Sequence, residues 1–470
     1  MTAQALQNTP VDWEAVRRHT VVLPEQRLYA DWTASGRLYR PIERRLSDEI
    51  GPWMANTHTE DSDSGRFMTR ALQEAEGVIR RHVNAAEDDV LLFAGNGMTG
   101  AVAKLVRMLG LWVHERHRDA VLSQLSQRPL VYVTHMEHHS NQTLWLETLA
   151  EVRVIPPDNL GSVDLDWLET DLAQLEPGRP RYASVTAASN VTGVAAPYRA
   201  IARLMHRHQG YCFVDFACAA PYVHIDMHPP GEEPLDAVFF SPHKFLGGPG
   251  SAGVLVFNRR LYRNRVPDQP GGGTVLWTNP WGEHRFLTDI AERESGGTPG
   301  ILQALKAALA VQLKEEIGTA AMAEREQQLN QAFFQWLDDC PGVRVLAGEQ
   351  RDRLSVFSLV FERVHYSTAV QQLSREHGIE ARGGCACAGT YGHHLLGIDR
   401  ATSERITCRL ERGDETAKPG WVRLSFHPMM TLQDLERVAL AVRAIAQGEG
   451  KREAVGWTAP STGSLWRPLL

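Results

Sequence analysis

Ala237-Val-Phe-Phe-Ser-Pro-His-Lys-Phe-Leu-Gly-Gly-Pro-Gly250 is the stretch on which the reading of this chain turns. Its apolar start predicts a buried strand, its glycines a turn, and Ala252 to Phe257 a second strand. Lys244 therefore stands at a strand exit among apolar neighbours. Burial disfavours the ammonium form, which frees the amine to act as a nucleophile toward a carbonyl or as a general base. Only six lysines occur (Lys104, Lys244, Lys306, Lys314, Lys418 and Lys451), and the other five read as solvated faces or loop positions.

The proportions are those of a globular enzyme of two or three domains: 470 residues, 43% hydrophobic and 22% charged. No apolar run approaches the roughly 18 to 20 residues of a bilayer-spanning helix, and the first ten residues lack the pattern of a leader, so no membrane partner is expected. A net charge of -7 gives no general attraction for nucleic acid. An acidic or zwitterionic substrate needs a local arginine instead. The six cysteines (Cys212, Cys218, Cys340, Cys385, Cys387 and Cys408) are sparse, and two lie in apolar runs, which points to free thiols in a reducing compartment, the cytoplasm.

Seven short apolar runs alternate with helical patterns: Val90 to Ala94, Leu130 to Thr134, Val152 to Ile155, Tyr182 to Ala187, Tyr211 to Phe216, Ala237 to Phe240 and Ala252 to Phe257. They predict an α/β fold with one large, mainly parallel seven-stranded sheet covered on both faces. A long helical stretch, Gly300 to about Leu329, leads to further strand signals at Val343 to Leu346, Leu354 to Phe361 and Trp421 to Phe426, and to a helix capped by Thr431. The organisation expected is an N-terminal segment (1–29), a large domain (30–310), a smaller C-terminal α/β domain (311–450) and a tail (451–470). The tail carries Trp457 and Trp466 and reads as draped on the surface or on a partner subunit.

Asp215 ends the strand Tyr211-Cys-Phe-Val-Asp215, at the sheet edge where open α/β folds bind ligands. Lys244 follows the next strand at the same edge. An acid and a lysine so placed are what pyridoxal 5'-phosphate requires: the lysine as Schiff base, the acid as partner of the pyridinium nitrogen. A phosphate cradle is offered by Phe93-Ala-Gly95-Asn-Gly97-Met-Thr99-Gly100, which runs into a helical pattern. The same stretch is a literal G-x-G-x-x-G, but the following strand ends in Thr134-His135 rather than the acid of a dinucleotide site. His135-Met-Glu137-His138-His139 is read in preference as the source of a flat imidazole beside a cofactor ring; a zinc site is the lesser alternative, since no second H-x-x-H or C-x-x-C accompanies it. Arg423, a charge within an apolar strand, is either paired structurally or holds a substrate carboxylate with its fork. Cys385-Ala-Cys387 sits in a polar, glycine-rich loop beside Arg382, a setting in which a thiol is exposed and its thiolate favoured.

With these residues in view, the chain resembles the class V aminotransferase group of fold-type I pyridoxal-phosphate enzymes, and within it the cysteine desulfurase and selenocysteine lyase branch. The likeness runs from Tyr29-Ala-Asp-Trp-Thr-Ala-Ser-Gly36 to Phe426. Ser241-Pro-His-Lys244 resembles the family's S-x-H-K, which implies Lys244 as Schiff-base lysine and Ser241 and His243 as phosphate contacts. Val214-Asp215 resembles its V-D strand end, and Glu137-His138-His139-Ser-Asn141 its E-H-H-x-N, implying that His138 stacks on the cofactor ring. The resemblance further implies Gly97, Met98 and Thr99 at the phosphate, Asn190 of Ser189-Asn190-Val-Thr-Gly193 at cofactor and substrate, and Arg423 with Ala34 at the substrate. Gly296-Gly-Thr298-Pro299 is similar to a turn that lends its threonine to the neighbouring subunit's phosphate, which implies a homodimer. Arg382-Gly-Gly-Cys-Ala-Cys387-Ala388 resembles R-x-G-x-x-C-A and implies Cys387 as the sulfur-accepting cysteine.

Two positions depart from that pattern. Cys218 stands where the family has a glutamine that contacts the cofactor's phenolic oxygen, and Cys385 adds a second thiol two residues before the expected nucleophile, either to resolve a persulfide or to serve another reaction. The function implied is transfer of sulfur from a cysteine-like amino acid to Cys387, with release of alanine and onward delivery to a sulfur-acceptor protein. The alternatives are a C–S lyase, epimerase or aminotransferase on another amino acid, or a binding protein that keeps the fold without the cofactor.

Overall fold

The structure, a computed structural model, describes residues 11–57 and 59–448. The central sheet contains β1 (Asp89–Phe93), β2 (Leu130–Thr134), β3 (Glu151–Ile155), β4 (Arg181–Thr186), β5 (Tyr211–Asp215), β6 (Ala237–Phe240) and β7 (Val254–Asn258). These are the seven apolar runs of the sequence, with small shifts at their ends. Their spatial order is β1-β7-β6-β5-β4-β2-β3. Strands β2 to β6 run parallel, and β7 lies antiparallel to both β1 and β6.

Strands β2 and β6 are buried along their whole length, as a sheet with helices on both faces demands. Because successive side chains alternate, Tyr132, Val185, Val214 and Phe240 enter one core while Val131, Val133, Phe213 and Phe239 enter another. The parallel strands all finish on one edge. Thr134, Thr186, Asp215 and Ser241 emerge there together.

A third core belongs to the C-terminal part, where β8 (Val343–Val345), β9 (Val356–Phe361), β10 (Arg382–Gly384) and β11 (Trp421–Ser425) form an antiparallel sheet in the order β8-β9-β11-β10. The helix Leu432–Gln447 begins in a capping box of Thr431 and Asp434. The helical stretch expected from Gly300 is two helices, Ile301–Ile317 and Thr319–Asp338, parted at Gly318 with φ 87°. A left-handed residue ends a helix, and the apolar periodicity runs through the break unchanged. Ile301, Leu305, Ala308 and Val311 pack with the large core, whereas Leu309, Leu313 and Ile317 pack with the C-terminal one. The N-terminal part is tied to the same region, since Leu28–Tyr29 pairs in parallel with Ile379–Glu380. The stretch with Trp457 and Trp466 lies outside the described residues. Among the described residues no helix is long and apolar enough to cross a membrane.

The expectation that the remaining lysines are solvated fails for three of them. Lys104, Lys306 and Lys314 are buried. Lys104 Nζ lies 2.6 Å from Glu294, Lys306 Nζ 2.8 Å from Glu43, and Lys314 Nζ donates to the carbonyls of Ala220 (2.7 Å) and Val223 (2.5 Å). Each partner is remote in sequence, so no local pattern announces the pairing.

Candidate active site

A cavity of ≈ 550 Å³ opens at the carboxyl edge of the parallel strands, lined by the Gly95–Gly100 turn, His138, Asn190, Asp215 and Lys244. Lys244 ends a short 3₁₀ turn, Pro242–Lys244, directly after β6. Backbone packs so closely here that only glycine fits beside it: a Cβ on Gly248 would lie 1.8 Å from Pro242 O, and one on Gly36 1.9 Å from Phe245 O. Burial lowers the Lys244 pKa below the ordinary lysine value, opposed in part by Cys218 and Asp215. Asp215 sits at the end of the adjacent β5, where Oδ1 accepts from Ala217 N at 2.7 Å. Burial raises its carboxyl to about 6, although the Ala217 bond and Lys244 pull the other way.

The glycine-rich turn after β1 meets the turn after β6. Met98 N donates to Ser241 Oγ at 2.8 Å, and His243 Nδ1 donates to Asn96 O at 2.9 Å. Thr99 Oγ1 and Ser140 Oγ are 2.7 Å apart. A Cβ on Gly97 would lie 2.7 Å from His243 Cε1 and 2.9 Å from Ser241 Oγ, so the missing side chain is what leaves the hollow open. The helix Met98–Met108 starts at this point. Met98 N, Gly100 N and Ala101 N already have acceptors in Ser241 Oγ and the Gly97 carbonyl, so what this turn offers an anion is the positive end of the helix dipole and the surrounding hydroxyls.

His138 caps the helix His139–Leu146, its Nδ1 accepting from Ser140 N at 3.1 Å, which puts the ring proton on Nε2. Burial, with Lys244 next in weight, lowers its pKa to about 4 and keeps the ring neutral. Cys218 is buried, donates weakly to Ser189 O at 3.6 Å, and is pushed up to about 11 by burial. The sequence reading attached no role to Glu137, yet it accepts four hydrogen bonds: from Thr134 N (3.2 Å), Thr134 Oγ1 (2.6 Å), Thr186 N (2.9 Å) and Asn141 Nδ2 (2.7 Å). It stitches the end of β2 to the end of β4 under the cavity. The signal for it was present as a glutamate four residues before an asparagine at a helix start.

Arg423 lies buried in β11. Its Nη2 donates to Asp31 Oδ1 at 2.7 Å and its Nη1 to Asn190 O at 3.2 Å, while Nε has no partner. Of the two uses left open for this arginine, structural pairing is present, and one donor is left over. Asp31 also accepts from Arg382 Nε at 3.1 Å, and Ala34 N donates to Asp31 O at 3.0 Å. Asn190 Nδ2 donates to Ala386 O at 2.7 Å, leaving Asn190 Oδ1 buried without a partner. Cys387 is exposed and Cys385 half-buried. The Cys387 carbonyl accepts from His139 N at 2.7 Å, so the cysteine loop is fastened to the rim of the cavity. Thr298 is exposed in the turn before Ile301 and is not among the cavity's lining residues.

The chain is 26% identical over 369 residues to a probable cysteine desulfurase of Halalkalibacterium halodurans, covering 77% of this chain and 84% of that protein. It is 26% identical over 407 residues to a probable cysteine desulfurase of Halobacterium salinarum, covering 84% and 92%. In fold it is similar to the apo cysteine desulfurase of Thermococcus onnurineus, with a TM-score of 0.74 at 21% identity over 93% of this chain and 98% of that one. The cysteine desulfurase CsdA of Escherichia coli gives a TM-score of 0.74 at 21% identity, over 94% and 100%. Residues 28–438 match the sequence model of Aminotransferase class-V, and the chain belongs to that family of pyridoxal-phosphate enzymes.

Proposed function

We propose that this enzyme is a cysteine desulfurase: it takes the sulfur of L-cysteine onto Cys387 as a persulfide and releases alanine. The observation that carries this reading is the fastening of the exposed Cys387 loop to His139 and Asn190, which ties the segment bearing a free thiol to a residue that lines the cavity holding Lys244. The named relatives support it.

The residues fit pyridoxal phosphate. Gly97 leaves a hollow that a Cβ would fill, and Asn190 Oδ1 and Arg423 Nε are buried polar atoms without partners. Ser241, His243, Gly97, Met98 and Thr99 would hold the phosphate, Asp215 the ring nitrogen and His138 the ring face, with Lys244 at the aldehyde and Cys218 and Asn190 nearby. When bound, the cofactor supplies an electron sink for the substrate's Cα.

The chain's own groups do the rest. Arg423, with Asn190 and Ala34, orients the substrate carboxylate through the donor that Asp31 leaves free. Lys244 Nζ, whose ammonium form burial disfavours, takes the Cα proton. Cys387 Sγ attacks the substrate sulfur as thiolate; the Cβ–S bond breaks, the S–S bond forms, and protons delivered to Cβ and Cα complete alanine. The sulfur then passes to a thiol acceptor, a protein in the cytoplasm.

We extend the reading to a homodimer in which Thr298 reaches the phosphate of the neighbouring subunit. Its exposure away from its own cavity supports this, as do the exposed Leu276, Trp277 and Trp281 on the ribbon Val275–Thr278 and His284–Phe286. A second reading, a C–S lyase or aminotransferase without a persulfide, is favoured by Cys218, whose thiol is a poor donor where the family has glutamine. The test is to fix the cofactor with borohydride and map it, then to follow cysteine turnover. Label on the Lys244 peptide with alanine as product supports the desulfurase; pyruvate with free sulfide selects the lyase.

A further inference from the structure

Cys385 has no part in the reaction above, yet it shares one turn with Cys387. Ala388 N donates to Cys385 O at 3.0 Å, and the two central residues, Ala386 and Cys387, have φ of 50° and 56°. These are the marks of a type I′ turn, built without the glycine or asparagine such turns favour. Left-handed backbone is unfavourable for alanine and cysteine and persists only where the surroundings enforce it. Here they do. The carbonyls of Cys385, Ala386 and Cys387 are all engaged, by Ala388 N (3.0 Å), Asn190 Nδ2 (2.7 Å) and His139 N (2.7 Å).

The left-handed Ala386 sets the two cysteine Cα atoms about 5.4 Å apart, the helical i to i+2 spacing in mirror image. That lies inside the roughly 4.4–6.8 Å range of disulfides. Both thiols are free, Cys387 exposed and Cys385 half-buried.

We propose that Cys385 is a resolving thiol that converts the Cys387 persulfide into an internal disulfide and releases hydrosulfide. The proposal rests on the desulfurase reading for the origin of the persulfide. Cys385 Sγ, as thiolate, attacks Cys387 Sγ; the bond from Cys387 Sγ to the outer sulfur breaks, and that sulfur leaves as hydrosulfide. The outer sulfur is reduced and Cys385 oxidised, so no further oxidant enters. A thiol reductant then reopens the disulfide, whose exposed position is that of the readily reduced kind. Cys385 is thus the first acceptor group that the persulfide meets.

The holoenzyme and its Cys385→Ser variant are each given one equivalent of cysteine without added thiol, quenched with iodoacetamide and analysed by peptide mass, with alanine and sulfide counted. Wild type is expected to release one sulfide per alanine and to yield one peptide in which both cysteines escape alkylation and are joined, lighter by two hydrogens. Cys385→Ser is expected to keep the sulfur on Cys387 and to release none until a thiol is added. Wild type that retains sulfur on Cys387 while Cys385 is alkylated overturns the proposal. A second arm loads both proteins with inorganic polysulfide. Disulfide formation there without alanine from cysteine upholds Cys385 and discards the desulfurase reading, whereas alanine formation with Cys385 alkylated in both arms discards the resolving role alone.

Discussion

Burial acts on two neighbouring groups in opposite senses: it lowers the pKa of Lys244 and raises that of Asp215. The free carboxyl of Asp215 is raised from 3.8 to about 6, so its protonation favours the fold below 3.8 and that contribution is lost as pH rises through about 6. Replacing Asp215 with Asn removes the loss. The apo variant should therefore gain about 3 kcal/mol over apo wild type by pH 7.5, seen as a higher Tm, while failing to retain the cofactor on gel filtration. Equal melting curves across pH 4 to 8 would contradict the burial argument. Arg423→Lys keeps the charge but gives up the fork. It should raise KM for cysteine roughly 10-fold or more, as expected for a lost hydrogen bond to a charged group, without changing the cofactor's absorbance.

At the scale of elements, the site depends on two turns that meet across the sheet. Gly97→Ala puts a Cβ against the side chains of His243 and Ser241, which can shift. That variant should fold, with a cofactor Kd raised roughly 10-fold, an energy of about 1.4 kcal/mol, measured by titration of the apo protein. Gly248→Ala meets the fixed carbonyl of Pro242 at 1.8 Å. It should instead lower Tm or prevent expression of folded protein.

The strands were legible because apolar runs with turn residues between them survive in any tertiary setting, and Asp215 and Lys244 were legible because one ends such a strand and the other follows the next one at the same edge. The break at Gly318 was hidden by a periodicity that continues through it. The Asp31 bond to Arg423 was hidden by distance, for 392 residues separate the partners. So was the type I′ turn, since neither Ala386 nor Cys387 is a residue that favours left-handed backbone.

For the whole molecule, the large sheet supplies the cavity and the C-terminal sheet supplies Arg423 and the cysteine loop, so chemistry requires both layers to be packed together. The proposed homodimer adds Thr298. Trp281→Asp, made at a side chain that is 83% exposed, should shift the protein toward monomer in sedimentation and weaken cofactor retention; an unchanged dimer with unchanged retention would remove that ribbon from the interface.

The most direct measurement compares alanine formation from cysteine by wild type and Cys387→Ala holoenzyme, with pyruvate followed in the same samples. Wild type should form alanine without pyruvate, and Cys387→Ala should lose at least roughly 100-fold of that rate, as removal of a nucleophile does. Alanine released at the wild-type rate by Cys387→Ala, or pyruvate as the product of either protein, would contradict the account.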